Sequence, residues 1–130
     1  MKLWIDTIST KFTILFKAIY FITYSIFFFY TKSFDQYLLS AAKNKKANWT
    51  EKKTKIGCRY INKLLILLNI KSCLIKSVAY KAFLNNVGWE AKLYIAVNNK
   101  KDFYSHSWVE STIETIGKPS SSMKIIRIVE

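Results

Sequence analysis

Glycine, proline and cysteine are scarce in this chain of 130 residues, and each shortage excludes a class of protein. Three glycines and one proline are too few for a linker or a low-complexity segment. Two cysteines, Cys58 and Cys73, do not make a disulfide framework. Together with the single histidine, His106, they show no zinc-ligand spacing, so we expect neither a metal site nor a cofactor. A hydrophobic fraction of 51% is enough for one folded domain with a substantial core.

Acidic residues are also few, because 8 Asp and Glu stand against 21 Lys and Arg and leave a net charge of +13. Such a charge favours an anionic partner, namely a nucleic acid, a membrane surface or an acidic peptide. A composition rich in Lys, Asn and Ile explains it equally well. No zinc-finger spacing or aromatic RNA-binding motif accompanies the charge, so we do not expect nucleic acid as a partner. The sequence start lacks a cleavable signal pattern, which favours a reducing cytoplasm and free thiols.

The first half of the chain is predicted to be helical. Phe12–Tyr30 is the most apolar segment, but Lys17 interrupts it and the uncharged run after Lys17 has only 14 residues. A membrane span needs ~20 residues, so we expect a buried or interfacial helix and leave contact with a membrane surface open. Ser33–Ala42 predicts a short second helix, and Lys43–Lys55 predicts a basic, solvated connector.

The second half changes from a helical to a strand period. Cys58 lies within a predicted helix but off its apolar stripe, and we interpret it as a small structural residue. Ser72 is predicted to cap a further helix that has Cys73 in its first turn and ends at Gly88. The apolar stripe of the first of these helices is Ile56, Tyr60, Ile61, Leu64, Leu65 and Leu68. The predicted core residues of the second are Leu74, Val78, Phe83 and Leu84.

Strands are predicted to follow these helices. Alternation of period two predicts strands at Ala91–Val97, His106–Glu110 and Ser122–Glu130, with a short strand in the STIETI segment between the last two. The fold class is therefore α+β, with helices packed on an antiparallel sheet. We divide the chain into a hydrophobic helical region with its connector, residues 1–55, and a core of residues 56–130.

Cys73 and His106 form the candidate catalytic pair. At a helix N-terminus the macrodipole and the free N–H groups favour a thiolate, and the same N–H groups can stabilise an oxyanion. A histidine on a facing strand can act as the base. On spacing alone, however, two packing residues are the commoner explanation.

The residues around this pair, CLIKSVAYKAFLNNVGWEAKLYIAV and HSWVE, resemble the transglutaminase-like leader peptidases of lasso-peptide biosynthesis. These enzymes are the peptidase half of the microcin-processing B protein. The resemblance implies a transglutaminase- or papain-like core in which Cys73 is the nucleophile and His106 the general base. It also implies three partners, which are a precursor peptide, a leader-binding recognition protein and an ATP-dependent lasso cyclase.

The sequence departs from this family at the third catalytic residue. The family's Asp, which orients the imidazole, falls near Lys118 in this chain. Glu114 is the nearest upstream carboxylate and the candidate replacement; otherwise a backbone carbonyl or an amide has to orient the ring. Trp108 shares a strand face with His106 and either walls the peptide groove or packs in the core. The alternatives are a catalytically impaired scaffold that binds precursor and cyclase, and a basic membrane-associated protein without catalysis.

Overall fold

The computed structural model describes residues 2–31, 48–98, 104–119 and 123–129. Within these ranges three helices precede one four-stranded antiparallel sheet, which confirms the predicted α+β architecture. The helix predicted at Ser33–Ala42 lies outside the described residues. The elements are α1 (Lys2–Thr31), α2 (Glu51–Leu67), α3 (Cys73–Asn86), β1 (Ala91–Asn98), β2 (Tyr104–Ser111), β3 (Thr115–Ile116) and β4 (Lys124–Val129).

Helix α1 begins ten residues before the apolar segment that predicted it. The predicted segment started only at Phe12 because the residues before it are less hydrophobic. Those residues include no proline or glycine that would end a helix, so the helix extends back to Lys2. One face of α1 packs against α2 and α3, and the other face stays exposed. The buried positions recur at helical spacing and are Ile14, Ala18, Phe21, Ile22 and Ser25.

Helix α2 begins inside the segment predicted as a solvated connector. Thr50 caps it, with the hydroxyl oxygen accepting a hydrogen bond from the Lys53 N–H at 3.2 Å, so the last five residues of that segment are helical. The buried face is also rotated from the predicted stripe, since Cys58 is buried while Leu68 is 56% exposed. A hydrophobicity count misses this rotation because Gly57 adds almost nothing to such a count. Its lack of a side chain nevertheless lets the Phe83 ring pack directly against this face of the helix.

Helix α3 agrees with its prediction at both ends. The Ser72 hydroxyl accepts from the Ile75 N–H at 3.3 Å, and the Ser72 carbonyl accepts from the Lys76 N–H at 3.2 Å. The helix ends at Asn86, and Gly88 follows with a φ of 100°, a conformation that glycine adopts without strain. Most of α3 is buried because it lies between α1 and the sheet.

The strand order in the sheet is β3-β2-β1-β4. Strands β1 and β2 pair with Tyr94 opposite Trp108 and Ile95 opposite Ser107. Because side chains alternate along a strand, Ser107 and Ile95 share the face that packs on α3, and Tyr94 and Trp108 share the other face. The Ser77 hydroxyl on α3 donates to the Ser107 hydroxyl at 3.2 Å, which fixes the face that meets the helix.

Candidate active site

Cys73 is the first residue of α3 and is partly exposed. The Ser72 cap takes up the N–H groups of Ile75 and Lys76. The backbone N–H of Cys73 itself has no acceptor among the residues that the structure describes. A partly exposed thiol beside an unpaired N–H and a helix N-terminus is an arrangement that stabilises negative charge on sulfur or on an attacked carbonyl.

Two hydrogen bonds show that α3 and β2 run side by side in the same direction. Ser77 bonds to Ser107, and eight residues later the Asn85 side chain accepts from the N–H of Ala91, which pairs with Ser111. The eight residues from Ser77 to Asn85 rise about 12 Å along the helix, and the four from Ser107 to Ser111 rise about 13 Å along the strand. The two elements therefore advance by nearly the same distance between the two contacts.

The same spacing locates Cys73 relative to His106. Cys73 precedes Ser77 by one turn, about 6 Å, which corresponds to roughly two strand residues before Ser107. Cys73 therefore lies level with the His106 end of β2. By strand alternation, His106 points to the face opposite α3, and the contacts of the described residues include no hydrogen bond between the pair. β3 pairs only with Val109 and Glu110, so it does not extend to His106.

The His106 ring is held by a backbone carbonyl. Its Nε2 lies 2.6 Å from the carbonyl oxygen of Gly117, which can only accept. Nε2 therefore carries the proton, and in the neutral ring Nδ1 keeps its lone pair and can act as a base. Gly117 precedes Lys118, near which the sequence comparison expected an orienting Asp, so the main chain orients the ring from the segment in which the acid was expected. Lys118 itself pairs with Glu110 at 3.4 Å on the surface.

Glu114 lies in a different place from the one its predicted role requires. Its carboxylate is beside the thiol of Cys58, and the described residues give it no contact with His106. Burial, followed by the charge of Glu114 and a hydrogen bond to its side chain, raises the pKa of the Cys58 thiol from 9.0 to about 12. A thiol with that pKa stays protonated and unreactive, which agrees with the structural role expected for Cys58.

Cys58 and Glu114 line a cavity of about 280 Å³ between α2, α3 and the β3 segment. Burial, followed by the nearby Cys58 and Glu114, also raises the pKa of Tyr80 at its wall. Gly117 belongs to the same lining, so the cavity adjoins the carbonyl that holds His106. The full lining is Cys58, Arg59, Asn62, Tyr80, Glu114, Thr115, Ile116 and Gly117.

Trp108 is buried behind His106. Its ring stacks on Tyr94 at 5.4 Å between centroids and lies 6.2 Å from the His106 ring, and only 4% of the residue is exposed. Its indole N–H has no hydrogen-bond partner in the described structure. The ring therefore supports His106 from the side, and direct contact with substrate stays a prediction.

Sequence reasoning left a backbone carbonyl open as the orienting group but did not identify Gly117, and it missed the Ser77–Ser107 contact. Neither has a side-chain signal, because the first is a main-chain atom and the second joins two common residues that are 30 positions apart.

As for metals, the described residues contain no group of three His, Cys, Asp or Glu side chains that could hold an ion.

Comparison with known proteins identifies the family. The sequence model of the transglutaminase-like superfamily matches residues 31–127, which is well over half of the chain. The chain belongs to the transglutaminase-like superfamily, and its α+β architecture with N-terminal helices is consistent with a domain of this kind. No curated protein and no solved structure matches it significantly. Helix α1 precedes the matched region almost entirely.

Proposed function

We propose that this chain is a cysteine peptidase in which Cys73 is the nucleophile and His106 the general base. The observation that carries the proposal is the polarity of the His106 ring, whose Nε2–H is bonded to Gly117 and whose Nδ1 is left as a base. Membership of the transglutaminase-like superfamily and the place of Cys73 at a capped helix N-terminus support it. Because strand alternation points His106 to the face opposite α3, the proposal requires its ring to turn past the end of β2 to reach the Cys73 thiol.

The chemistry follows from these groups. His106 Nδ1 takes the proton of the Cys73 thiol, and the sulfur attacks the scissile carbonyl carbon. The oxyanion that forms accepts from the Cys73 N–H and is favoured by the α3 N-terminus. His106 then returns the proton to the leaving amine as the C–N bond breaks, which leaves a thioester on Cys73. Water, activated by the same base, hydrolyses the thioester and regenerates the thiol. An amine in place of water would give acyl transfer through the same intermediate.

The substrate we propose is the leader segment of a ribosomally synthesised lasso-peptide precursor. This finer assignment is supported by the motif order from Cys73-Leu74 through Gly88 to the HSWVE strand, and by the separations within it. In that role the chain works with a leader-binding recognition protein and an ATP-dependent cyclase in the cytoplasm.

The test is cleavage of a cognate precursor by the chain together with its leader-binding partner, followed by mass spectrometry. We expect wild type and Glu114→Gln to cleave, because Glu114 contacts Cys58 rather than His106. Cys73→Ala and His106→Ala should lose cleavage, whereas Cys58→Ala should retain it as the matched cysteine control. Retained cleavage in Cys73→Ala would refute the assignment of the nucleophile.

A non-catalytic scaffold is the second candidate. One observation favours it: among the described residues no carboxylate contacts His106, so the site lacks the acid that stabilises an imidazolium. A scaffold that holds precursor and cyclase together keeps full product formation when Cys73→Ala replaces wild type in the producing cell. A peptidase loses it, and the two candidates are thereby separated.

A further inference from the structure

The outward face of α1 carries a largely apolar stripe, which consists of Phe12, Phe16, Ile19, Tyr20, Thr23, Phe27 and Tyr30. Its members recur at helical spacing from Phe12 to Tyr30, a length of about 27 Å. None of them is charged, and all but Thr23 are large and apolar or aromatic. The exposed fractions are 54% for Phe12, 65% for Phe16, 42% for Ile19, 60% for Tyr20, 59% for Phe27 and 76% for Tyr30. Five exposed aromatic rings present an area on the order of several hundred Å², which is large for a surface that meets only water.

The opposite face of α1 is fixed to the fold between Lys17 and Ser25. Ser25 donates to the carbonyl of Ile75 at 2.8 Å near the start of α3, and the Lys17 ammonium donates to the Asn86 side chain at 2.6 Å at its end. Between these points Ala18 and Ile22 are buried in the core. Thr10–Thr31 is long and apolar enough to cross a membrane, but a crossing helix would have to leave these polar contacts or carry the domain with it. The contacts therefore favour an orientation in the plane of a surface.

Positive charge lies beside this helix. The ammonium group of Lys53 lies 4.3 Å from the centre of the Trp49 ring, where α2 begins next to α1. Lys11 is exposed on α1 itself, and the whole chain carries a net charge of +13. An aromatic, uncharged stripe on a strongly basic protein is complementary to an anionic lipid surface, in which rings enter the interface and lysines meet headgroups.

We propose that the α1 stripe binds the surface of an anionic membrane, with the helix lying in the plane of the interface and the transglutaminase-like region held above it. The inference rests on the stripe, its anchored rear face and the adjacent lysines, and it is independent of the peptidase proposal. It assigns the exposed face of α1 to lipid rather than to a second copy of the chain or another protein.

The test measures binding of the purified chain to vesicles by sedimentation. The vesicles are phosphatidylcholine alone, and equal parts of phosphatidylcholine and phosphatidylglycerol. Wild type should bind the mixed vesicles at least about tenfold more tightly than the neutral ones and should lose this preference in high salt. The double variant Phe16→Glu/Phe27→Glu should lose at least about tenfold in binding to the mixed vesicles, since two exposed rings that would enter the interface are replaced by charges.

The matched control is Ile66→Glu/Leu67→Glu on α2, which adds the same charge at positions that are 69% and 79% exposed but off the stripe. We expect binding within about twofold of wild type, and circular dichroism is recorded to check that each variant is folded. Failure of wild type to bind, or an equal loss in both variants, would overturn the proposal. Self-association that disappears only in Phe16→Glu/Phe27→Glu, without vesicle binding by wild type, would assign the stripe to a second copy instead. Protein that resists extraction by alkaline carbonate would overturn the in-plane orientation.

Discussion

Replacing Gly57 with alanine is expected to destabilise the protein, although alanine is the better helix former. A Cβ at this position would overlap Cζ of Phe83 and lie 3.0 and 3.2 Å from Cε1 and Cε2 of the same ring. The ring cannot move aside easily, because it is fully buried and packs edge-on against Phe21 at 6.1 Å and Trp49 at 5.7 Å. The contact joins α2 to α3, the helix that carries Cys73.

The magnitude is a difference between two effects. Overpacking a rigid core costs about 1–3 kcal/mol, and hard overlap with a confined ring places this site toward the upper end. Replacing glycine by alanine within a helix contributes about 1 kcal/mol in the opposite direction. We expect a net loss of about 1–2 kcal/mol in the free energy of unfolding, which lowers the Tm by roughly 5 °C in a chain of this size.

Urea unfolding followed by circular dichroism measures this loss, and two further variants isolate its cause. In a Phe83→Leu background the smaller side chain leaves room for the new methyl group, so Gly57→Ala should become stabilising by up to about 1 kcal/mol. Asn62→Ala, on the exposed side of the same helix, should stabilise by a few tenths of a kcal/mol because nothing opposes the gain in propensity. A Gly57→Ala variant as stable as wild type in the Phe83 background would refute the argument.

Three further predictions concern the cysteines and the cap. Iodoacetamide should modify Cys73 in the folded protein and reach Cys58 only after unfolding, as peptide mass spectrometry would show; equal labelling would contradict the buried, protonated Cys58. Between pH 9 and 12 the unfolded chain loses the Cys58 proton while the folded chain retains it, so the free energy of unfolding should fall as pH rises. Cys58→Ala should reduce the slope of this fall by about 1.4 kcal/mol per pH unit. An unchanged slope in urea titrations would be inconsistent with the raised pKa. Ser72→Ala should cost about 1 kcal/mol and Ser72→Gly only a few tenths, measured in urea; equal losses would exclude the hydroxyl cap.

Much of the second half of the fold was predictable because its signals are local. Ser72 and Gly88 mark the ends of α3 by cap chemistry and backbone freedom, and alternation marks β1 and β2. The prediction failed where local signals compete. The run of lysines before Ile56 suggested solvent, but the Thr50 cap and the helix-forming residues after it start α2 five residues earlier.

The candidate site divides in the same way. Cys73 at a helix start and His106 on a strand follow from residue order, and the resemblance to a known family links them as a pair. The orienting group followed only as an open alternative to Glu114, because a backbone carbonyl has no residue signature, and the structure identifies it as the carbonyl of Gly117. Glu114 satisfied the sequence requirement for an acid, yet the fold places it beside Cys58.

The sequence by itself therefore determined the class of fold, the capped helix that presents Cys73, and membership of the transglutaminase-like superfamily. These depend on hydrophobic period, cap residues and motif order, all of which are written in neighbouring positions. Only the tertiary structure decided which face of each element is buried, which group holds His106, and that the aromatic face of α1 points outward. Those outcomes depend on contacts between residues far apart in the chain, where a glycine, a serine pair or a main-chain carbonyl counts as much as any conspicuous side chain.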